Sequence, residues 1–442
     1  MPATQAQTEE VSEKMKRASV LSREDKRIRK YRYVDRGFIL LMLTIFQFFT
    51  SLPVVFEETK FFPLNAVCFF GFTCFEWIYV GVMHFFFKKV NFELEFIAFF
   101  LSGIGMTLTA SVSKTGHIKQ LAAVIIGIVV YDVLLWFLQD VKRVMAVRMP
   151  LAIFALCFLA GSFVFIRFAG SAINGAYNWL VFGGGKLSVQ PSEFVKIAFI
   201  FVGAASLDKL LTSKNIYLYI AFAISCIGVL FLMRDFGTAL IFFFTFLVIA
   251  FMRSGDIRSL LFICAGALLG AVLIIYFKPY VAARFSVYRH VWENYDTTGY
   301  QQVRTLIYAV SGGLKGLGVG NGRLRYIAAS TTDLIFGMVC EELGIIIAFA
   351  IVIAFAIITV YAIRTARSAP STFYSIAACS AAAMLLFQTC LNIFGITDIL
   401  PLTGVTLPFV SQGGSSMICS WALFAFIKAA DVRTYPKVFK TA

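Results

Sequence analysis

The sequence predicts an all-α polytopic membrane protein with about twelve transmembrane helices. Of its 442 residues, 60% are hydrophobic and only 14% are charged, and the mean hydropathy is +0.83. A water-soluble chain of this length cannot bury so much apolar surface. Because lipid offers the backbone no hydrogen-bond partner, each crossing is expected to be helical.

Apolar runs of the length that a membrane-spanning helix needs, about twenty residues, recur along the chain. Short polar segments separate them, which is typical of loops between consecutive spans. The twelve runs lie at residues 37–56, 65–87, 94–111, 119–138, 148–168, 192–207, 216–233, 236–253, 259–277, 334–363, 372–395 and 408–428.

The loops between these runs alternate between cation-rich and cation-poor. The cation-rich set includes the basic tail of residues 1–36 and the last segment, 433–442. Because Lys and Arg favour the cytoplasmic face of a membrane protein, both tails are predicted to be cytoplasmic.

The long loop of residues 278–333, between the ninth and tenth helices, breaks this charge pattern. It falls on the outer side, where cations are normally sparse. An outer loop that collects cations is expected to bind an anionic ligand. Six cations of this loop are candidate ligand contacts: Arg284, Arg289, Arg304, Lys315, Arg323 and Arg325.

The net charge of +15 lies largely in the first 36 residues and in short loops. This distribution favours contact with anionic membrane lipid over binding of nucleic acid. The nine cysteines fall in or beside apolar runs without CxxC spacing, so neither a disulfide nor a zinc site is predicted. The polar start of the chain has no apolar segment of the kind found in a cleaved signal peptide.

Several ionisable residues lie within or beside the apolar runs. Glu193 and Lys196 are three residues apart on one helical face, and are either a structural ion pair or a substrate contact. Asp235 stands at a turn, where it either caps a helix or contacts substrate. The adjacent Glu341 and Glu342 are too costly in a membrane to lack a function or an internal partner. Glu76 and Asp132 are expected to make interhelical hydrogen bonds.

The segment from residue 400 to residue 416, LPLTGVTLPFVSQGGSS, resembles a re-entrant loop that precedes a helix. Its two prolines interrupt helices, and its glycines and serines offer backbone N–H groups and hydroxyls. Such groups suit phosphate oxygens, although the segment is equally consistent with a hinge. The candidate contacts are Ser411, Gly413, Gly414 and Ser415.

Six motifs occur in the order found in the SEDS family, the FtsW/RodA/SpoVE group, and the chain is identified as a member by this resemblance. It covers residues 94–432, and residues 37–93 form two helices in addition to the usual ten-helix core. The motifs are QPSE, RDFGTA, W-x6-GYQ, GGLKGLGVGNG, TDLIFGMVCEELG and LPLTGVTLPFVSQGGSS.

The resemblance implies a peptidoglycan glycosyltransferase of the bacterial plasma membrane, serving division, elongation or sporulation. Such enzymes polymerise lipid II, a disaccharide-pentapeptide on undecaprenyl pyrophosphate, at the outer face, together with a class B penicillin-binding transpeptidase. The outer cations would then hold the pyrophosphate leaving group. No cofactor is implied with certainty; a divalent cation, Mg or Mn, would suit the departure of pyrophosphate.

The chain departs from the family pattern at the expected catalytic base. Counting from Trp292 and from Gly299 places Asn294 where the family carries Asp, and an amide cannot accept the proton. Asp296 is the favoured substitute, with Glu293 as the other candidate. Two alternatives stay open: a non-catalytic protein that binds lipid-linked precursor or a synthase partner, and a transporter that moves lipid II across the membrane. Further departures are Ala328, Ala329, Thr331 and Gln412.

Overall fold

The computed structural model describes most of the chain. The described residues are 36–57, 60–87, 91–113, 115–169, 176–182, 187–206, 213–258, 261, 263–266, 268 and 288–431. The chain divides into two compact units, Met1–Ile45 and Phe46–Ala442. Of the first unit, only the start of helix α1 lies within the described residues.

The described part of the chain is mostly helical. The helices are α1 (Arg36–Val55), α2 (Pro63–Phe86), α3 (Glu93–Val112), α4 (Gly116–Leu138), α5 (Val141–Ala169), α6 (Pro191–Ser206), α7 (Ser213–Leu232), α8 (Phe236–Ser254), α9 (Tyr300–Ser311), α10 (Ile335–Met338), α11 (Gly344–Arg367), α12 (Thr372–Ile396) and α13 (Gly414–Ala429). A 3-10 turn covers Leu324–Tyr326, and a π-helical turn, Val339–Leu343, joins α10 to α11. Two antiparallel hairpins pair β1 (Phe56–Glu57) with β2 (Lys60–Phe61), and β3 (Leu180–Phe182) with β4 (Leu187–Val189).

The helices confirm the prediction of an all-α polytopic membrane protein. Among the described residues, eight helical segments are long and apolar enough to cross a membrane, and α10, the π-turn and α11 together form one of them. Eleven of the twelve predicted runs coincide with helices, whereas the ninth, 259–277, falls mostly outside the described residues.

Two predicted helix starts are wrong. Helix α5 begins at Val141 and not at residue 148, because the polar turns before Pro150 are helical as well. Helix α13 begins at Gly414 and not at residue 408. The segment that precedes it is irregular, since Pro401 and Pro408 disfavour helix.

Local sequence signals explain where the functional helices begin. Helix α6 starts at Pro191, where the missing N–H of proline costs nothing. The side chain of Asp235 accepts a hydrogen bond from the Thr238 N–H at 3.1 Å and so caps α8. That helix ends at Gly255, whose φ of 63° is left-handed.

Helices α4 and α13 pack around one buried tryptophan. The Trp421 ring is fully buried, and its centroid lies 5.5 Å from that of Phe99 and 5.6 Å from that of Phe409. A Cβ at Gly127 would stand 2.7 Å from Trp421 Cδ1, so the close approach of the two helices requires glycine there. Beside it, the buried Lys428 pairs with Glu95 at 2.9 Å and joins α13 to α3.

Polar pairs tie helix α2 to its neighbours. The Gln47 Nε2 donates to Glu76 Oε1 at 2.8 Å, and the Tyr79 hydroxyl donates to Asp132 Oδ1 at 3.1 Å. These are the interhelical hydrogen bonds predicted for Glu76 and Asp132. In an apolar medium such bonds fix helix rotation as well as proximity.

Candidate functional site

The Gly-rich segment GGLKGLGVGNG and the two residues after it, here called the glycine loop (residues 312–324), fold against the π-turn that carries Glu341 and Glu342. The Arg323 and Leu324 N–H groups donate to the two carboxylate oxygens of Glu341, at 2.7 and 2.9 Å. The Gly320 N–H donates to Glu342 Oε2 at 2.9 Å. The loop therefore binds an anion that belongs to the protein itself.

Further backbone contacts bring the glycine loop against the π-turn. The Leu317 N–H donates to the Glu341 carbonyl at 2.9 Å, and the Gly318 N–H donates to the Glu342 carbonyl at 3.0 Å. Five backbone N–H groups of one loop thus converge on two adjacent residues. A π-turn is a rare deviation that often marks a functional position.

Glycine is required at several points of this contact. A Cβ at Gly312 would stand 2.1 Å from the Cys340 carbonyl oxygen, and one at Gly322 would stand 2.7 Å from Glu341 Oε2. Gly316 has a φ of 82° and would place a Cβ 2.3 Å from the Glu342 carbonyl oxygen. The loop can approach the π-turn only without side chains at these positions.

Five of the six predicted outer cations lie within the described residues, and none of the five makes a salt bridge there, although the charge of Arg325 acts on Glu342. The five are Arg289, Arg304, Lys315, Arg323 and Arg325. Aromatic rings support some of them: the Arg304 guanidinium lies 5.4 Å from the Tyr300 ring centroid, and that of Arg325 lies 4.9 Å from the Tyr326 centroid. The Tyr326 hydroxyl also accepts a hydrogen bond from Arg325 Nη2 at 2.7 Å. Arg284 falls outside the described residues.

The segment that precedes α9 docks on the end of α12. The Tyr288 hydroxyl donates to the Ile399 carbonyl at 2.8 Å, and the Arg289 N–H donates to Asp398 Oδ1 at 3.3 Å. Val291 is fully buried, and a Cβ at Gly299 would lie 2.5 Å from its carbonyl oxygen. The residues between Val291 and Gly299 are therefore held at both ends.

The three candidate catalytic residues lie between these anchors. Asn294 is engaged locally, since its Nδ2 donates to the His290 carbonyl at 3.0 Å. Glu293 is exposed and pairs with His290 Nδ1 at 3.0 Å. Asp296 is exposed as well, and raises the pKa of Tyr295, chiefly through a side-chain hydrogen bond. Glu293 is paired with a neighbouring imidazole, whereas Asp296 contacts a tyrosine hydroxyl, and which of the two replaces the family base stays a prediction.

Three predicted substrate contacts, Glu193, Lys196 and Asp235, are engaged inside the fold. The buried Lys196 Nζ lies 2.7 Å from Glu193 Oε1 and 2.9 Å from Gln388 Oε1, which links α6 to α12. Besides capping α8, Asp235 accepts hydrogen bonds from Asn178 at 3.0 Å and Gln190 at 3.1 Å. The geometry accounts for these residues as structural ties, and their contact with substrate stays a prediction.

The segment before α13 is folded by its own polar groups. The Ser411 hydroxyl accepts from the Leu407 N–H at 2.8 Å and donates to the Thr332 carbonyl at 2.6 Å. Gly413 is the cap residue of α13, Gly414 is exposed and Ser415 is buried. Of the four candidates, Gly414 is the most open to a ligand phosphate, whereas Ser411 is buried and already engaged.

Asp333 was missed as an individual residue, although it lies in the TDLIF motif. Burial raises the pKa of its carboxyl from an ordinary 3.8 to about 6; a hydrogen bond with Thr332 lowers it, and the nearby charge of Asp235 raises it further. The Asn392 side chain donates to the Asp333 carbonyl at 2.8 Å and to the Val405 carbonyl at 2.7 Å. Asp333 thus sits where the loop, α12 and the segment before α13 meet.

The described residues offer no ready-made protein site for a metal ion. Among them, no three side chains of the His, Cys, Asp and Glu types come close enough together to hold one. The oxygens of Glu341 are occupied by backbone donors, which removes the most obvious acidic pair as ligands. A Mg or Mn ion therefore fits here only if substrate phosphates supply much of its coordination.

Comparison with known families shows to which family the chain belongs. The FtsW/RodA/SpoVE family model, described as a cell cycle protein, matches residues 82–435. The chain belongs to this family. The match includes the predicted core of residues 94–432 and starts slightly earlier, near the end of α2.

Individual FtsW/RodA/SpoVE relatives agree with the family match. The stage V sporulation protein E of Bacillus subtilis (strain 168) is 32% identical over 271 residues, which is 59% of this chain and 73% of that protein. A peptidoglycan glycosyltransferase RodA of Mycobacterium leprae (strain TN) is 28% identical over 356 residues, which is 74% of each chain. Both are bacterial proteins, and the chain is accordingly a bacterial membrane protein.

Solved structures show the same fold. A chain from a peptidoglycan synthase complex, studied for its coordination of polymerization and crosslinking, superposes with a TM-score of 0.64 at 24% identity and covers 78% of this chain and 98% of that one. The rod shape determining protein RodA of Thermus thermophilus superposes with a TM-score of 0.55 at 22% identity, covering 78% and 97%. The polytopic family fold is thereby confirmed.

Proposed function

We propose that this chain is a peptidoglycan glycosyltransferase that polymerises lipid II at the outer face of the plasma membrane during cell-wall synthesis. The observation that carries the proposal is a set of cations that make no salt bridge within the described residues, on a loop fixed against a membrane helix. Burial of Glu341 and Glu342 under the glycine loop fixes the backbone from which Arg323 and Arg325 project. Rigidly placed positive charge is what a pyrophosphate leaving group requires.

The chemistry assigned to the site is a single displacement at a sugar carbon. Asp296 takes the proton from the acceptor hydroxyl, and that oxygen forms a bond to the anomeric carbon of the donor. The bond between that carbon and the pyrophosphate oxygen breaks, and the electron pair leaves with undecaprenyl pyrophosphate. The exposed position of Asp296, beside Tyr295, allows an acceptor to approach from the aqueous side.

Guanidinium groups would bind the pyrophosphate leaving group. An Arg side chain can bind phosphate oxygens through two parallel N–H donors. Arg323 precedes one short 3-10 turn and Arg325 lies within it. The aromatic contact at Tyr326 limits the orientations that Arg325 can adopt. Orientation of this kind lowers the entropy lost when the substrate binds.

Sidedness and partner follow from the same proposal. Both termini are placed in the cytoplasm and residues 278–333 outside, in keeping with the distribution of Lys and Arg. The structural neighbour comes from a complex that couples polymerization to crosslinking, which supports a class B penicillin-binding transpeptidase as partner. Lipid II is the substrate that the relatives' glycosyltransferase names favour.

The test is glycan synthesis by the purified protein, supplied with lipid II in the presence and absence of the transpeptidase. We expect Asp296→Asn to reduce the rate by about 10²–10⁴-fold, the usual value of a general base. Glu293→Gln is the matched control, because it removes an exposed carboxylate three residues away and should leave most activity. Equal activity of both variants would exclude Asp296 as the base.

One observation favours a second function. Asn294 stands at the position of the family base and donates its amide to the His290 carbonyl, so it cannot serve in proton transfer. A non-catalytic protein that binds lipid-linked precursor is therefore the competing candidate. Binding of lipid II without glycan chains under any condition would establish it, whereas lipid II movement across vesicles without polymerisation would indicate a transporter.

A further inference from the structure

A groove separate from the glycine loop opens between the end of helix α11 and the start of α3. It encloses about 550 Å³, a size within the usual range of small-molecule sites. One wall is a ridge of Ile353, Ile357 and Val360, all exposed at 43–49%. These residues follow the spacing of one helical face, so the ridge presents a continuous apolar strip.

The polar end of the groove carries one cation and one anion. Arg364 lies in the last turn of α11, Glu93 in the first turn of α3, and both line the groove with Ser368. Within the described residues, neither Arg364 nor Glu93 takes part in a salt bridge. The two charges therefore face the same space without neutralising each other.

The position of these charges identifies the chemistry of an occupant. Both are at the ends of membrane-spanning segments, Glu93–Val112 and Ile335–Arg367, where the apolar part of a bilayer gives way to head groups. A molecule that fits has an apolar chain for the ridge, an anion for Arg364 and a cation for Glu93. A purely anionic lipid would leave its head group beside an unpaired carboxylate.

We propose that this groove binds a zwitterionic phospholipid of the phosphatidylethanolamine class. An acyl chain lies along Ile353, Ile357 and Val360, the phosphate accepts hydrogen bonds from Arg364, and the ammonium pairs with Glu93. The bound lipid wedges between α11 and α3. This site is distinct from the glycosyl-transfer site and does not depend on the proposed function.

The test measures lipid retention by native mass spectrometry of the full chain released from detergent micelles. Phosphatidylethanolamine and phosphatidylglycerol with identical acyl chains are offered separately. The variants are Arg364→Gln and Glu93→Gln. Arg367→Gln is the matched control, since Arg367 is an exposed cation of the same helical turn that does not line the groove.

The two variants have different expected effects. Arg364→Gln should weaken phosphatidylethanolamine binding by about tenfold relative to Arg367→Gln, because it removes a charged donor to the phosphate. Glu93→Gln should abolish the preference for phosphatidylethanolamine over phosphatidylglycerol while some binding remains. Both side chains are exposed, and a melting curve of each variant verifies that the fold is intact.

Three results would overturn the proposal. They are equal retention of both lipids by the unaltered chain, equal loss in Arg364→Gln and Arg367→Gln, and an unchanged lipid preference in Glu93→Gln. Ile357→Trp provides an independent check, because a larger side chain should fill the apolar strip and displace the acyl chain without altering either charge. Undiminished lipid binding by this variant would also contradict the assignment.

Discussion

The two neighbouring glutamates of the π-turn differ in the number of backbone N–H groups that their carboxylates accept, and substitution of each by Gln can reveal this difference. Both oxygens of Glu341 accept backbone N–H groups, from Arg323 and from Leu324. Glu342 accepts one backbone N–H, from Gly320, and a longer hydrogen bond from the Ser111 hydroxyl, both through Oε2. Its Oε1 is buried without a hydrogen-bond partner. We therefore expect Glu341→Gln to release the glycine loop and Glu342→Gln to leave it in place.

The magnitude follows from these contacts. An amide retains one acceptor oxygen, so Glu341→Gln turns an NH2 group toward a buried N–H and loses a charge-assisted hydrogen bond, at a cost of about 2–5 kcal/mol. In Glu342→Gln, the amide oxygen keeps the Gly320 bond and the NH2 takes the position of the unpartnered oxygen. That change also removes a buried charge, and is expected to cost less than about 1 kcal/mol.

Hydrogen exchange read by mass spectrometry on peptides that cover residues 312–326 measures this difference directly. A loss of 2 kcal/mol raises the population of the open loop by about 30-fold, so amide exchange in Glu341→Gln should accelerate at least that much. Exchange in Glu342→Gln should accelerate by less than about fivefold, the equivalent of 1 kcal/mol. Indistinguishable exchange in the two variants would refute the assignment of Glu341 as the residue that positions the loop.

Three other predictions concern pH, metal and sidedness. Because the pKa of Asp333 is raised by burial to about 6 from 3.8, its stabilising contribution is complete below pH 3.8 and is lost as the pH rises through about 6. Asp333→Asn should flatten the melting temperature across this range, and an unchanged pH dependence would contradict the burial argument. EDTA should leave the melting temperature unchanged, because the described residues form no metal cluster. It should nevertheless slow polymerisation if Mg or Mn acts through the pyrophosphate. A lower melting temperature in EDTA would reveal an ion held by the protein. Thr298 is exposed, so a Thr298→Cys variant should react with a membrane-impermeant thiol reagent outside intact cells, above the background of the unaltered chain; protection would reverse the proposed orientation.

Much of the fold was predictable because the membrane constrains it strongly. A span needs about twenty apolar residues, and runs close to that length recur along the sequence. Helix ends were less accessible: the true start of α13 depends on how Ser411 bridges the Leu407 N–H to the Thr332 carbonyl. The spacing of apolar residues along one segment does not reveal a side-chain hydrogen bond to a carbonyl that is distant in sequence.

The site was predictable by residue type but not by arrangement. The cost of two adjacent carboxylates in a membrane correctly indicated an internal partner or function for Glu341 and Glu342. Nothing in the spacing showed that the partner is the glycine loop, because that contact depends on a π-turn and on positive φ at Gly316. Position counting predicts that Asn294 departs from the family pattern, which stays a prediction, while its hydrogen bond to His290 required coordinates.

The glycine loop changes how a Gly-rich motif should be interpreted in a membrane protein. A row of small residues with exposed N–H groups is often assigned to the binding of a ligand phosphate. Here the N–H groups of Gly320, Arg323 and Leu324 already bind carboxylates of the same chain. The loop thus contributes a fixed geometry, and its charge for an external anion comes from side chains. A rigid backbone with Arg on it can meet a departing pyrophosphate without reorganising, which is the condition under which fixed charges lower a barrier most.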